Sequence, residues 1–269
     1  MSYRKQKYFQ IPEEIILEKS LGDRRVYTYL YFLVIKRAKS LEVEFCLNSA
    51  MEWMQMRQPA SKRRYQNEII HIIRWLIVNG YFQESDETSL FMDTEHPDRS
   101  ETYRFKMNSK HIFLKNHFGS IWFQDVYKIM DDSTLYKNKG VEPPKSQRQA
   151  RMLLLLSYLR LKFSISNSSF TYYNRISESI GITPMALSST TKYLCYANIL
   201  ITSTLQIPST IWNGKCKGPT VFVDLHKYKI QLSGDVEEDA QYNPSNEIAY
   251  CQKQFFRYML SGTKSKDNH

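Results

Sequence analysis

Residues 74–82, Arg74-Trp75-Leu76-Ile77-Val78-Asn79-Gly80-Tyr81-Phe82, bring an amphipathic helix to a polar Asn-Gly stop and follow it with two aromatics of strand character. Gly accepts the left-handed conformation that ends helices, so the stop is sharp. The same succession returns about 118 residues later, in Lys192-Tyr193-Leu194-Cys195-Tyr196-Ala197-Asn198-Ile199-Leu200. Two copies of one local pattern point to two similarly built units.

Working outward from the first copy, Tyr65, Ile69, Ile72, Ile73 and Leu76 keep helical spacing and predict a helix over Lys62 to Asn79. Gln58-Pro59-Ala60 is expected to form a turn, and Ser49 to Met56 a short helix before it. Leu41 to Leu47 alternates like a strand, and Arg24 to Lys39 reads as a helix with Asp23 as its N-cap. Beyond the stop, Tyr81-Phe82, Ser89 to Met92 and Thr102 to Phe105 are expected to form hairpin strands around the polar loop Asp93 to Glu101. A strand at His111 to Leu114 and a helix from Ile121 to Met130 are expected to close the unit.

The second copy is preceded by a helix Gln147 to Phe163, a small strand within Ile165 to Phe170, and a short helix Tyr172 to Ile180 ending at Gly181. Thr183-Pro184 places a capping hydroxyl before Pro at the first helical position, a strong start signal for the helix Pro184 to Asn198. Strands Leu200 to Ile207 and Thr220 to Leu225 follow. The fold class expected is α+β and mainly helical: two winged helix-turn-helix domains in tandem with short β-hairpin wings. The expected domains are 1–130 and 150–230, joined by a polar linker 131–149 and followed by an acidic tail with an amphipathic helix, 231–269.

The chain has 269 residues, enough for two such domains, and a formal net charge of +10. An A/T-rich coding sequence favours Lys, Asn, Ile, Tyr and Phe, so the total charge says little. Its distribution says more. Residues 1–80 carry 14 Lys/Arg against 8 Asp/Glu, residues 150–230 carry 9 against 2, and residues 81–109 carry 3 against 7. The basic charge thus follows the two helical units, as a phosphate-binding surface requires.

Cys46, Cys195, Cys216 and Cys251 form no C-x-x-C pair, which predicts reduced thiols. There is no signal-peptide pattern and no apolar run of membrane-spanning length, so the expectation is a soluble cytoplasmic protein without membrane contact. No Walker motif, H-E-x-x-H spacing or nucleophile–base arrangement is present, and neither an enzyme activity nor a cofactor or metal is expected.

Ser61-Lys62-Arg63-Arg64 opens the first long helix with three cations, where the helix macrodipole favours anions. A phosphate backbone or a guanine edge would supply the missing negative charge. Gln66 and Asn67 are expected on the same exposed stretch, able to read bases. In the second unit Ser188, Ser189, Thr191 and Lys192 are expected to face away from the apolar stripe, their small hydroxyls letting the helix lie deep in a major groove. Lys215 and Lys217 sit in a basic Gly-rich loop suited to a wing along a phosphate strand. The first loop is acidic and would be repelled by DNA.

Phe9-Gln10-Ile11-Pro12, followed by Val26-Tyr27-Thr28-Tyr29-Leu30-Tyr31-Phe32-Leu33, resembles the opening of bacterial plasmid and phage replication initiators. Those proteins begin with an aromatic-x-Ile-Pro strand and an apolar Val-Tyr-x-x-Leu helix, and the likeness covers about residues 8–228. It implies binding of double-stranded DNA at origin repeats, one unit per adjacent major groove, with host replication proteins as partners and a nucleoid or plasmid location. It also allows the first unit to serve dimerisation. By position, Lys62, Arg63 and Arg64 match the first recognition helix, and Ser188, Ser189 and Lys192 the second. The alternatives are a winged-helix transcriptional regulator and a protein-interaction scaffold without DNA binding.

Overall fold

The computed structural model describes residues 8–56, 62–131, 144–163, 168–207, 218–225 and 244–264. The chain is α+β with small antiparallel sheets, and it divides into two compact units at Leu161/Lys162.

The first unit opens with strand β1 (Tyr8–Pro12), which Pro12 ends, and helix α1 (Glu13–Leu17). Arg25 completes that helix. Its guanidinium donates to the carbonyls of Ile15 (2.9 Å), Ile16 (2.7 Å) and Gly22 (2.5 Å), acceptors that a short helix otherwise leaves open. Burial lowers its pKa to about 10, so it remains a cation at neutral pH. Helix α2 (Arg25–Ile35) follows, with every residue from Arg25 to Leu33 buried. The expected N-cap, Asp23, makes no cap bond to it; its carboxylate takes Arg151 at 2.6 Å instead.

Around α2 lies an aromatic core. Tyr27 meets Trp53, Tyr29 meets Tyr81, and Phe32 meets both Phe45 and Phe82, with ring centroids 5.0–5.6 Å apart. These geometries are the tilted and edge-on ones that aromatic quadrupoles prefer. Strand β2 (Glu42–Phe45) buries Val43 and Phe45 and leaves Glu42 and Glu44 outside. Helix α3 (Leu47–Trp53) starts in a capping box between Cys46 and Ser49. Helix α4 (Lys62–Val78) follows and stops at Gly80, whose φ of 70° is left-handed as its position requires.

Here the structure departs from the expected hairpin. Ser89 to Met92 is not a strand; it belongs to helix α5 (Asp86–Asp93). Ser85 and Thr88 cap each other reciprocally, and Asp86 and Glu87 suit the positive end of the helix dipole. Leu90 is exposed and Phe91 buried, so the apolar alternation belonged to a helix with Phe91 and Thr88 inward. Strand β3 (Tyr103–Lys106) pairs with β2, Val43 opposite Phe105, while Phe82 forms a single bridge to Met107.

His111 lies in a 3₁₀ turn (Ser109–His111) rather than a strand. Strand β4 (Phe118–Trp122) pairs with β1 and takes in Ile121 and Trp122, which were expected in the helix; α6 (Phe123–Met130) follows directly. Helix α7 (Lys145–Lys162) completes the first unit, although it was expected to open the second. Its polar positions explain the placement: Arg151 pairs with Asp23, Gln149 accepts from Tyr27 at 3.1 Å, and Arg160 holds Asp125 and the Ser120 carbonyl. The expected linker 131–149 therefore ends in helix from Lys145.

The second unit contains β5 (Ser168–Thr171), α8 (Tyr173–Ile180), α9 (Pro184–Tyr196), β6 (Leu200–Thr204) and β7 (Thr220–Asp224). The sheet order is β5-β7-β6, antiparallel throughout. Gly181 ends α8 at a φ of 78°, and Thr183 caps α9 ahead of Pro184. Helix α10 (Pro244–Lys264) covers the sheet: Cys251 and Phe255 pack with Leu205, Val221 and Val223. Gln252 reinforces the seam, its side-chain amide exchanging two hydrogen bonds with the backbone of Gln206.

Both units share one order. A strand precedes two helices, and a later strand returns to pair antiparallel with it: β2 with β3, and β5 with β7.

Candidate nucleic-acid interface

Helix α4 divides lengthwise into a buried face and an exposed one. At 100° per residue, Tyr65, Ile69, Ile70, Ile72, Ile73 and Leu76 fall on one arc and all are buried. Arg63, Arg64, Asn67 and His71 fall within about 100° on the remaining arc and all are exposed. From Arg63 to His71 the rise is about 12 Å, close to the width of a major groove.

None of these four positions is a carboxylate. The helix carries one acid, Glu68, which is drawn aside to Arg24 at 2.6 Å while the Arg24 guanidinium lies 4.4 Å over the Tyr65 ring. Burial raises the Glu68 pKa and Arg24 opposes that rise. Three consecutive cationic residues therefore open α4 with no acid in its first turn. That arrangement works against the macrodipole and leaves the helix end short of negative charge.

Of the residues expected here, Arg63, Arg64 and Asn67 are exposed as anticipated, and Lys62 is the first residue of the helix. Ser61 lies outside the described residues. Gln66 is not on the exposed face. It is 8% exposed, its amide donates to the Pro97 carbonyl at 3.3 Å, and it accepts from Arg99. Its place beside Ile69 and Ile70 on the core arc, together with a partner 33 positions away, turned it inward. His71 was missed, although its spacing of four and eight from Asn67 and Arg63 marked it.

Helix α9 repeats the division with milder chemistry. Leu187, Thr190, Thr191, Leu194 and Ala197 are buried, while Met185, Lys192 and Tyr196 are exposed and Ser188 and Ser189 half-exposed. Thr191 was expected outside, but it follows Leu187 by one full turn and so faces the core. Ser189 donates to the Met185 carbonyl at 3.3 Å and still has acceptor capacity. The exposed face holds no acid. Lys215 and Lys217 lie outside the described residues.

A shallow groove of about 450 Å³ borders the β2–β3 sheet, lined by Arg37, Glu42, Glu44, Arg104 and Lys106. Its charges largely neutralise one another, Arg37 meeting Glu42 and Glu44 at 3.4 Å and Arg104 meeting Glu44 at 3.5 Å. Among the described residues no group of three His, Cys, Asp or Glu is placed to hold a metal ion, and no helix is long and apolar enough to cross a membrane. No protein-family model and no curated protein matches the chain.

Proposed function

We propose that the chain is a sequence-specific double-stranded DNA-binding protein whose two units are both winged-helix folds. The observation that carries this reading is the acid-free outer face of α4, where Arg63, Arg64, Asn67 and His71 share two helical turns opposite a fully packed core. Guanidinium groups suit phosphates and guanine edges, and a side-chain amide suits adenine. The outer face of α9 supplies Ser188, Ser189 and Lys192 for a second contact. Phosphate contacts give affinity, and the two helices give sequence choice.

The finer reading is a replication initiator at repeated origin sites, working with host replication proteins. It rests on the resemblance at Phe9-Gln10-Ile11-Pro12 and Val26 to Leu33, which form β1 and most of α2. A transcriptional regulator would use the same surface. A protein-interaction scaffold is favoured by one feature, the acidic helix α5 with its exposed Leu90, which replaces the expected acidic hairpin.

Filter binding of the full chain to duplex DNA across a salt series tests the main reading. With about six phosphates neutralised, log K falls against log salt with a slope near −5. A flat response, or no retention of duplex, rejects it. Selection of bound fragments from a random duplex library then yields repeat-like sites for the initiator reading.

A further inference from the structure

We propose that residues 93–101 form an acidic guard along one flank of α4, which rejects non-cognate DNA by repelling its backbone. This rests on the DNA-binding reading above and concerns the selectivity of the same site.

The segment is bound to α4 along its length. Arg74 donates to the Thr94 carbonyl at 2.5 Å and Gln66 to the Pro97 carbonyl at 3.3 Å. Arg99, the one arginine of the segment, turns inward to Gln66. Its carbonyl accepts from the backbone amide of Asn48 at 3.0 Å, in the first turn of α3. The guard thus spans the gap between the two helices that precede the break at Gly80, and it occupies an amide that a flanking phosphate would otherwise approach.

Its charge points the other way. Asp93, Glu95, Asp98 and Glu101 are all exposed. Asp98 accepts from both the amide and the hydroxyl of Ser100, at 2.8 and 2.7 Å, and these bonds hold its carboxyl below the usual range and keep it ionised. Arg63, Arg64 and Asn67 stand on the same arc of α4 as Arg74, at 100° per residue, so attraction and repulsion lie side by side on one surface. A duplex seated squarely on the α4 face keeps its distance from the acids. One sliding or tilted along its backbone meets them. Selectivity of this kind comes from penalising wrong complexes rather than from adding interactions to the right one.

The test uses the full chain with Glu95→Gln and Asp98→Asn together, which keep shape and hydrogen bonding while removing two charges. Thermal unfolding verifies that the fold is intact. Binding is measured to a random-sequence 20-bp duplex and to the selected sequence, at one salt concentration. The variant should bind the random duplex about fivefold tighter or more while the selected site changes less, so that the specificity ratio falls. Duplex binding by the variant alone, with the parent silent, also supports a guard. If the parent binds and the variant binds random duplex no tighter, the guard is wrong and the DNA reading stands. If neither binds duplex, both fall together.

Discussion

Arg160 Nη1 donates to Asp125 Oδ2 across 2.6 Å, and neither side chain reaches solvent. The same Nη1 donates to the Ser120 carbonyl at 3.0 Å, so one guanidinium joins β4, α6 and α7. Removing one partner strands the other charge inside the protein. Asp125→Ala should therefore lose about 3–5 kcal/mol in urea unfolding, whereas Asp125→Leu with Arg160→Met should recover most of that loss. Equal losses in the single and double variants would mean that packing, not charge, dominates there.

Gly119 is needed for a different reason. A Cβ at this position would run into the backbone of Ser157, which cannot move as a flexible side chain can. Gly119→Ala should destabilise the first unit by about 1–3 kcal/mol, read as a lowered thermal midpoint, because it forces β4 and α7 apart. An unchanged midpoint would contradict the close approach of the two elements.

The His111 ring stacks on Tyr81 at 4.0 Å, and Tyr81 donates to Glu14 at 2.8 Å. Burial first, and then Lys110, hold the His111 pKa below its ordinary 6.5; Glu14 pulls weakly the other way. The unfolded chain then binds the proton more readily than the folded one. Its contribution to stability is complete above pH 6.5 and is lost as the pH falls from there towards the folded pKa. Unfolding free energies of the parent and His111→Gln, compared between about pH 7.5 and 5, should show a smaller pH slope in the variant; parallel curves would dismiss this role.

Neighbouring residues of α4 should separate binding from stability. Asn67→Ala should alter base preference with the unfolding midpoint unchanged, since Asn67 is exposed. Gln66→Ala should cost about 1–3 kcal/mol because it leaves Arg99 and the Pro97 carbonyl without their partner. Arg63→Ala with Arg64→Ala should shallow the salt slope by about two, one for each phosphate left without its cation. A swap of these phenotypes would reverse the faces assigned to α4.

Much of this was legible in the chain itself. The core arc of α4, the stops at Gly80 and Gly181 and the Thr183-Pro184 start all rest on spacing or backbone chemistry within a few residues. Two of the misses depend on partners far away. Gln66 turns inward for Arg99 and Pro97, and Asp23 passes over its neighbouring helix for Arg151. The helix α5 was legible in principle, since Ser85 and Thr88 form a capping box. Its hydrophobic run, Leu90-Phe91-Met92, is too short to distinguish a helix from a strand by periodicity alone.

The placement of α7 has a practical consequence. Anyone halving the chain at its most hydrophilic stretch, ahead of Lys145, would remove from the N-terminal half the cations that Asp23 and Asp125 require and the surface that Gly119 is shaped to receive. Such a fragment would lose both of these ion pairs and should refold poorly. A cut after Leu161 keeps the half intact. The hydrophilicity of a segment marks where a chain meets water, and it need not mark where one folding unit ends.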